Sequence, residues 1–216
     1  TLSSSSAASD VYKRQGFDGL IRNSLDATSS RDFMVEAMAC MASLMLGISR
    51  LVEDLILWSS SEFGFVELAE EFASVSSIMP QKKNPTVLEL IRGKSSRVSG
   101  DLTAALGVLK GLPSGYSSDL QETKPLLWDS LDQTLASLQI LTKALATLTI
   151  HEDRMVEAAR ESYAFAVDLA ERLTLEGLLP FRKAHALVGN LVREMVSRGL
   201  EPSKLTPALM EATAEK

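Results

Sequence analysis

The residues with the greatest chemical potential lie in SSIMPQKKNP, positions 76–85. Lys82 and Lys83 carry two positive charges, Asn84 adds a polar amide, and Pro85 opens what reads as a helix with Asn84 as its N-cap. A helix start presents unpaired backbone N–H groups and a partial positive charge. Together with the lysines it suits a carboxylate or a phosphate. Ser76 and Ser77 stand just upstream. One of their hydroxyls could lose its proton only if that field stabilised the alkoxide. The competing reading is a solvated lysine loop with serine turn residues, and the Met-Pro and Asn-Pro pairs argue against such filler.

Other polar residues carry weaker signals. His151 and His185 are the only histidines and have no metal-ligand spacing around them, which makes them structural or exposed. Glu70 and Glu71 are adjacent and would point apart on a helix, as a solvated edge does. Arg92, Lys94 and Arg97 read as a basic cluster or as a solvated helix face. No glycine-rich nucleotide loop, zinc pattern or Ser-His-Asp order is present.

The elements that must position these groups are helices. Met34, Met38, Met41, Met45, Ile48, Val52 and Leu55 recur in steps of three and four, placing one apolar stripe on a long helix with Ser30 as its N-cap. Packing rather than metal binding explains the methionines. A second helix runs from the lysine motif through Leu88, Ile91, Val98, Leu102 and Leu106, and GLPSG at 111–115 ends it. A third begins near Pro125 and carries Leu131, Leu135, Leu138, Leu141, Leu145 and Leu148 on one face. After Ile150 the pattern shortens to two helices broken at Gly177–Pro180. The predicted architecture is all-α: a bundle of long helices over 16–151, then a small helical domain over 152–216. The serine-rich stretch 1–15 reads as a disordered or artefactual leader, with a flexible arm as the alternative. Three long apolar stripes in so short a chain imply partner surfaces, most simply through self-association.

Composition bounds the function. The 216 residues are 45% hydrophobic and 23% charged, with a net charge of −6 that argues against nucleic-acid binding. A single cysteine, Cys40, cannot form an internal disulfide and points to a reducing compartment. The longest charge-free apolar stretch, 37–49, is too short to span a bilayer. A cytoplasmic protein is expected, with neither membrane nor nucleic acid as partner.

Four stretches, in order, are similar to one family. SSIMPQKKNP resembles the SSxMPxKxNP signature of the fumarase/aspartase superfamily of lyases, and its PQKKNP form resembles the argininosuccinate lyases. NSLDATSSRDF (23–33), KGLPSGYSSDLQETK (110–124) and LLPFRKAHALVG (178–189) resemble further stretches of that family. The resemblance implies reversible elimination of argininosuccinate to arginine and fumarate, without metal or cofactor. It implies that Ser76 is the base, that Lys82 stabilises the aci-carboxylate intermediate, and that Glu89 pairs with the catalytic histidine. Asn84, Tyr116, Gln121 and Lys124 would contact substrate, with Arg31 in a secondary role. It also implies a homotetramer whose active sites draw on three subunits.

The chain departs from that pattern in places. Val75 stands where many members have glycine, and Ser29-Ser30 replaces Ser-Asp before Arg31. No Thr-His-Gln segment matches the family's catalytic histidine, so the resemblance implies a fragment, inactive alone. An adenylosuccinate-type sister lyase and a non-catalytic, crystallin-like homologue are the alternatives.

Overall fold

A computed structural model describes residues 14–16, 21–75 and 83–214. Ser76 and Lys82, and nearly all of the stretch 1–15, lie outside the described residues. In chain order the elements are α1 (Ser24–Ser29), α2 (Asp32–Trp58), β1 (Val66–Glu67), β2 (Ser74–Val75), β3 (Lys83–Asn84), α3 (Thr86–Leu109), α4 (Thr123–Ala146), β4 (Thr149–Ile150), α5 (Glu152–Glu161), α6 (Ala166–Leu175), α7 (Phe181–Ser197) and α8 (Pro207–Ala214). The chain divides into two compact units, one of Thr1–Leu57 with Leu68–Thr147, the other of Trp58–Glu67 with Leu148–Lys216.

In the first unit, α2 buries Met34, Met38, Met45, Ile48, Val52 and Leu55 along the expected stripe. Each fully buried side chain of this size contributes about 2 kcal/mol. Ala42 takes the place expected for Met41, which is half-buried, because the smaller residue lies nearer the centre of the stripe. The helix starts two residues beyond Ser30, whose Oγ still accepts from the Asp32 N–H at 3.4 Å. One window of α2 is long and apolar enough to cross a bilayer. Met38, Met45 and Val52 on its stripe are fully buried, while Leu44, Leu46, Leu51 and Leu57 on the opposite side are exposed. Arg92 of α3 pairs with Glu53 of α2.

The second and third helices pack against each other with faces that differ from the leucine pattern. On α3 the buried positions are Leu88, Ile91, Ser95, Val98 and Ala105, while Leu106 is exposed. On α4 they are Thr123, Ser130, Thr134, Ser137, Leu141 and Ala144. Thr134 and Ser137 donate to the carbonyls of Ser130 and Gln133, both at 2.7 Å. Their hydroxyls are thereby satisfied within the helix, and the small side chains permit close approach to α3. The expected face of Leu131, Leu135 and Leu145 points away instead, at 44%, 47% and 41% exposure, beside Trp128 at 60%. Only Leu141 of that face is buried. Hydrophobicity alone cannot say which of two faces a neighbouring helix of the same chain will cover.

The second unit contains a short antiparallel ladder, with Val66 opposite Ile150 and Glu67 opposite Thr149. Helices α6 and α7 enclose Ala170, Ala184 and Val188, with Leu169, Leu173, Leu179 and Val192 around them. The 152–175 stretch is two helices rather than the expected one. The Ser162 Oγ accepts from the Ala164 N–H at 3.3 Å, a serine turn that competes with helix continuation. The predicted break at Gly177 is present, with φ +73 and a Leu178 N–H bond back to Leu173. That left-handed cap suits glycine.

Candidate active site in two halves

Each predicted site residue in the described part of the chain belongs to the first unit, at one end or the other of α3. At its head, β2 and β3 pair antiparallel, Ser74 opposite Asn84 and Val75 opposite Lys83. Asn84 is therefore a strand residue and not the N-cap that its sequence suggests. Pro85 occupies the cap position without any side-chain hydrogen bond, and the Glu89 N–H closes the first turn on the Pro85 carbonyl. Glu89 lies exposed in this turn. Lys83 Nζ sits 3.7 Å from Glu70 Oε1, which gives the acidic pair at 70–71 a partner. The Ser74 and Thr86 hydroxyls are hydrogen-bonded to each other across the strand–helix junction.

At the tail of α3, the loop after Leu109 turns at Gly111 and Gly115, with φ of +78 and +90. Both conformations favour glycine. Gly115 is buried, and a Cβ there would meet Leu25 of α1 at 3.5 Å. Just beyond it, Gln121 Nε2 donates to the Tyr116 hydroxyl at 2.8 Å. This bond occupies one amide hydrogen and leaves the Tyr116 O–H and the Gln121 carbonyl free in direction to meet a ligand. Asp119 is held below the usual carboxylate range by the Ser117 hydroxyl. Lys124 is exposed in the first turn of α4. Arg31 donates to the carbonyls of Ser30 at 2.8 Å and Thr28 at 3.2 Å. Ser29, Ser30, Arg31 and Asp32 share a cleft of about 190 Å³ with Leu109, Leu112, Pro113, Gly115 and Leu120. Two stretches far apart in sequence thus meet in one wall.

Between the two ends lie the 24 residues of α3. At 1.5 Å per residue this is about 35 Å. Asn84 and Glu89 therefore cannot touch a small molecule held by Tyr116, Gln121 and Lys124 of the same chain. The seam between is structural. Arg97 forks onto Asp129 through two 2.6 Å hydrogen bonds, and Lys94 bonds Gln133. Burial, and then the adjacent Asp129 carboxylate, raise the pKa of Asp101. Burial opposes ionisation of Asp129 as well, but hydrogen bonds from Arg97 and Gln133 outweigh it and lower that pKa. The basic cluster of α3 is thus consumed in helix–helix ties.

Both histidines lie in the second unit. His151 Nε2 is 3.7 Å from Glu67 Oε2, and His185 packs on the Phe181 ring at 6.0 Å. Among the described residues no group of three His, Cys, Asp or Glu side chains is arranged to hold a metal.

Comparison with known proteins places this arrangement. A family profile described as Lyase matches residues 5–100, and one described as Argininosuccinate lyase C-terminal matches residues 163–216. The argininosuccinate lyase of Symbiobacterium thermophilum is 50% identical over 204 residues, covering 91% of this chain and 44% of that protein. The chain belongs to the argininosuccinate lyase family. It spans about two fifths of the length of the curated relatives that it matches. Among solved structures, EDDS lyase in complex with formate aligns at a TM-score of 0.83 and 33% identity, over 92% of this chain and 39% of that one. The class II fumarase of Schistosoma mansoni shares the fold, at a TM-score of 0.65 and 19% identity, over 91% and 42%.

The sequence reading named residues at both ends of α3 and expected sites drawn from three subunits, and helix length alone already separates Asn84 from Tyr116, which bracket a continuous helical stretch. It did not anticipate two bonds near those residues: the Ser74–Thr86 hydroxyl pair and the Tyr116–Gln121 bond. Nothing in residue type marks the first. The i, i+5 spacing of the second is a usable signal only once the intervening turn is known.

Proposed function

We propose that this chain is part of an argininosuccinate lyase, a carbon–nitrogen lyase that splits argininosuccinate into arginine and fumarate. The observation that carries the reading is the 50% identity to a named argininosuccinate lyase across 91% of the chain, including both halves of the candidate site. In the proposed reaction Ser76, as alkoxide, takes the proton from the succinyl carbon beside a carboxylate. Lys82 faces the aci-carboxylate that forms, where concentrated positive charge lowers the barrier most. The C–N bond then breaks, its electron pair leaving on the guanidinium nitrogen, which is protonated by an acid outside this chain. Glu89 supports that acid through its histidine partner. Asn84, Tyr116, Gln121 and Lys124 hold the substrate's polar groups, and Arg31 shapes the wall of the tail cleft.

The 35 Å separation supports a shared site, with the head of α3 from one copy meeting the tail of α3 from another. A homotetramer in the cytoplasm is the assembly we infer, with 16–151 forming the bundle part and 152–216 the smaller domain. The exposed Leu131, Leu135 and Leu145 face of α4 supplies apolar surface for such contacts. The test is a chimera in which residues 21–216 replace the matching part of the Symbiobacterium thermophilum enzyme. Fumarate release from argininosuccinate, with none from adenylosuccinate, is expected. Release from adenylosuccinate alone would assign a sister lyase. An assembled chimera without turnover of either would favour a structural protein.

A further inference from the structure

Tyr116, Gln121 and Lys124 are exposed polar residues on one short run of chain at the tail of α3. A turn of 3₁₀ helix, Ser118–Glu122, carries Gln121, and α4 begins at Thr123. Hydrogen-bond geometry in such a turn is poorer than in an α-helix, so it needs support from outside. Between Tyr116 and Pro125 only Leu120 and Thr123 are buried, at 2% and 1% exposure. Residues three apart share one face of a 3₁₀ turn, so the pair forms its anchored side. Leu120 lines the cleft of the Arg31 stretch. Thr123 is polar, and a buried hydroxyl needs a partner. It donates to the Leu120 carbonyl at 2.7 Å, and Met34 Sδ of α2 lies 3.7 Å from the same oxygen. A hydroxyl has one hydrogen to give, and a thioether is only a weak acceptor. The carbonyl bond therefore closes the turn, and the sulfur packs on it. Met34 in turn donates its N–H to the Arg31 carbonyl at 2.9 Å.

We infer that Thr123 is a positioning residue: its hydroxyl locks the Ser118–Glu122 turn against α2 and so aims Gln121 and Lys124 at the ligand. The Gln121 bond to the Tyr116 hydroxyl passes the same constraint to the tyrosine. The role rests on the lyase reading above, in which Thr123 itself touches no substrate. Because the groups it aims hold ligand rather than react, the effect of the hydroxyl falls on KM rather than on kcat.

The chimera tests this with Thr123→Val, which keeps the side-chain volume without the hydroxyl, and Thr123→Ser, which keeps the hydroxyl. Thr123→Val is expected to raise KM for argininosuccinate about fivefold, the effect of one hydrogen bond, with kcat within about twofold of the parent. Thr123→Ser should stay within about twofold of the parent in both constants. In a Gln121→Ala background, Thr123→Val should raise KM by less than it does in the parent, as residues acting through one another require. Amide hydrogen exchange at Gln121 and Lys124 should quicken in Thr123→Val whether or not the protein turns over. A KM within about twofold of the parent, a loss confined to kcat, or unchanged exchange would overturn the positioning role and leave the lyase reading standing. A Thr123→Val chimera that fails to assemble would overturn it too, because the hydroxyl would then serve folding alone. A parent chimera without turnover would overturn the lyase reading and the role in ligand binding with it, while exchange would still show whether the hydroxyl holds the turn.

Discussion

The two ends of α3 solve the same problem by different means. At its head, polar groups are carried on a strand pair tied to the helix by hydroxyls, with Lys83 near a helix start that lacks a side-chain cap. At its tail, two glycines fold the chain back, a tyrosine and a glutamine brace each other, and a cleft lined by the Arg31 stretch forms behind them. In the proposed reaction the head places charge where charge develops and the tail holds the ligand. The two stand about 35 Å apart on one rod, so under that reading they serve different sites, and the rod makes the spacing rigid.

The contrast can be broken from either end. In the chimera, Ser76→Ala should lower fumarate release at least about 10³-fold, since it removes the base itself. Steady-state rates at 240 nm, with oligomer size measured in parallel, check this. Lys124→Ala at the tail should cost less, about 10- to 100-fold in kcat/KM, and mostly through KM, because it holds the ligand rather than reacts. If the tail variant lost kcat alone, the division of labour would fail.

A smaller effect is expected on the face that brings the halves together. Leu131→Glu with Leu135→Glu should shift the assembled protein to smaller species by light scattering, with activity falling about tenfold at micromolar concentration as exposed charge meets apolar surface. The second unit offers the control. Its α7 turns Ala184, Val188, Leu191 and Met195 inward and leaves no comparable leucine row outside. Adding a glutamate at Arg193, on the outer side of α7, should leave assembly unchanged.

The smallest effect belongs to the seam. Asp101 has a folded pKa raised above its ordinary 3.8, so it favours the folded state when protonated and costs stability as pH rises through that raised value. Asp129, whose pKa is lowered, has the opposite sign and loses its contribution as pH falls. Asp101→Asn should therefore raise the melting temperature slightly at pH 7. The gain should shrink below about pH 4, and both ends of α3 should be affected alike.

Much of this was legible in the residues. The α2 stripe was readable because its methionines and β-branched residues recur in steps of three and four, although leucines also line the exposed face. Three of the four family-like stretches named the positions at both ends of α3, and the fourth, at 178–189, falls in the second unit. What could not be read was orientation. On α4, Ser130, Thr134 and Ser137 form an inner face because the Thr134 and Ser137 hydroxyls bond backwards along the helix and the Ser130 hydroxyl donates to Asp101 of α3, which lets a polar row pack as a small apolar one would. The leucines are left for another surface, and a pattern based on hydrophobicity inverts the helix. Asn84 misled for a related reason. Its side chain suits an N-cap, but pairing with Ser74 places it one residue too early.

The most direct test of the two-halves account is to mix two impaired chimeras and assay them at substrate concentrations well below the raised KM of the tail variant. One carries Ser76→Ala at the head of α3 and the other Lys124→Ala at the tail, and they are co-expressed with separable tags. If each site takes its head and tail from different copies, purified mixed oligomers will contain some sites with both halves intact. They will release fumarate well above either variant alone. Mixed oligomers no more active than the two separate variants would contradict the account, because the two halves would then have to come from the same chain.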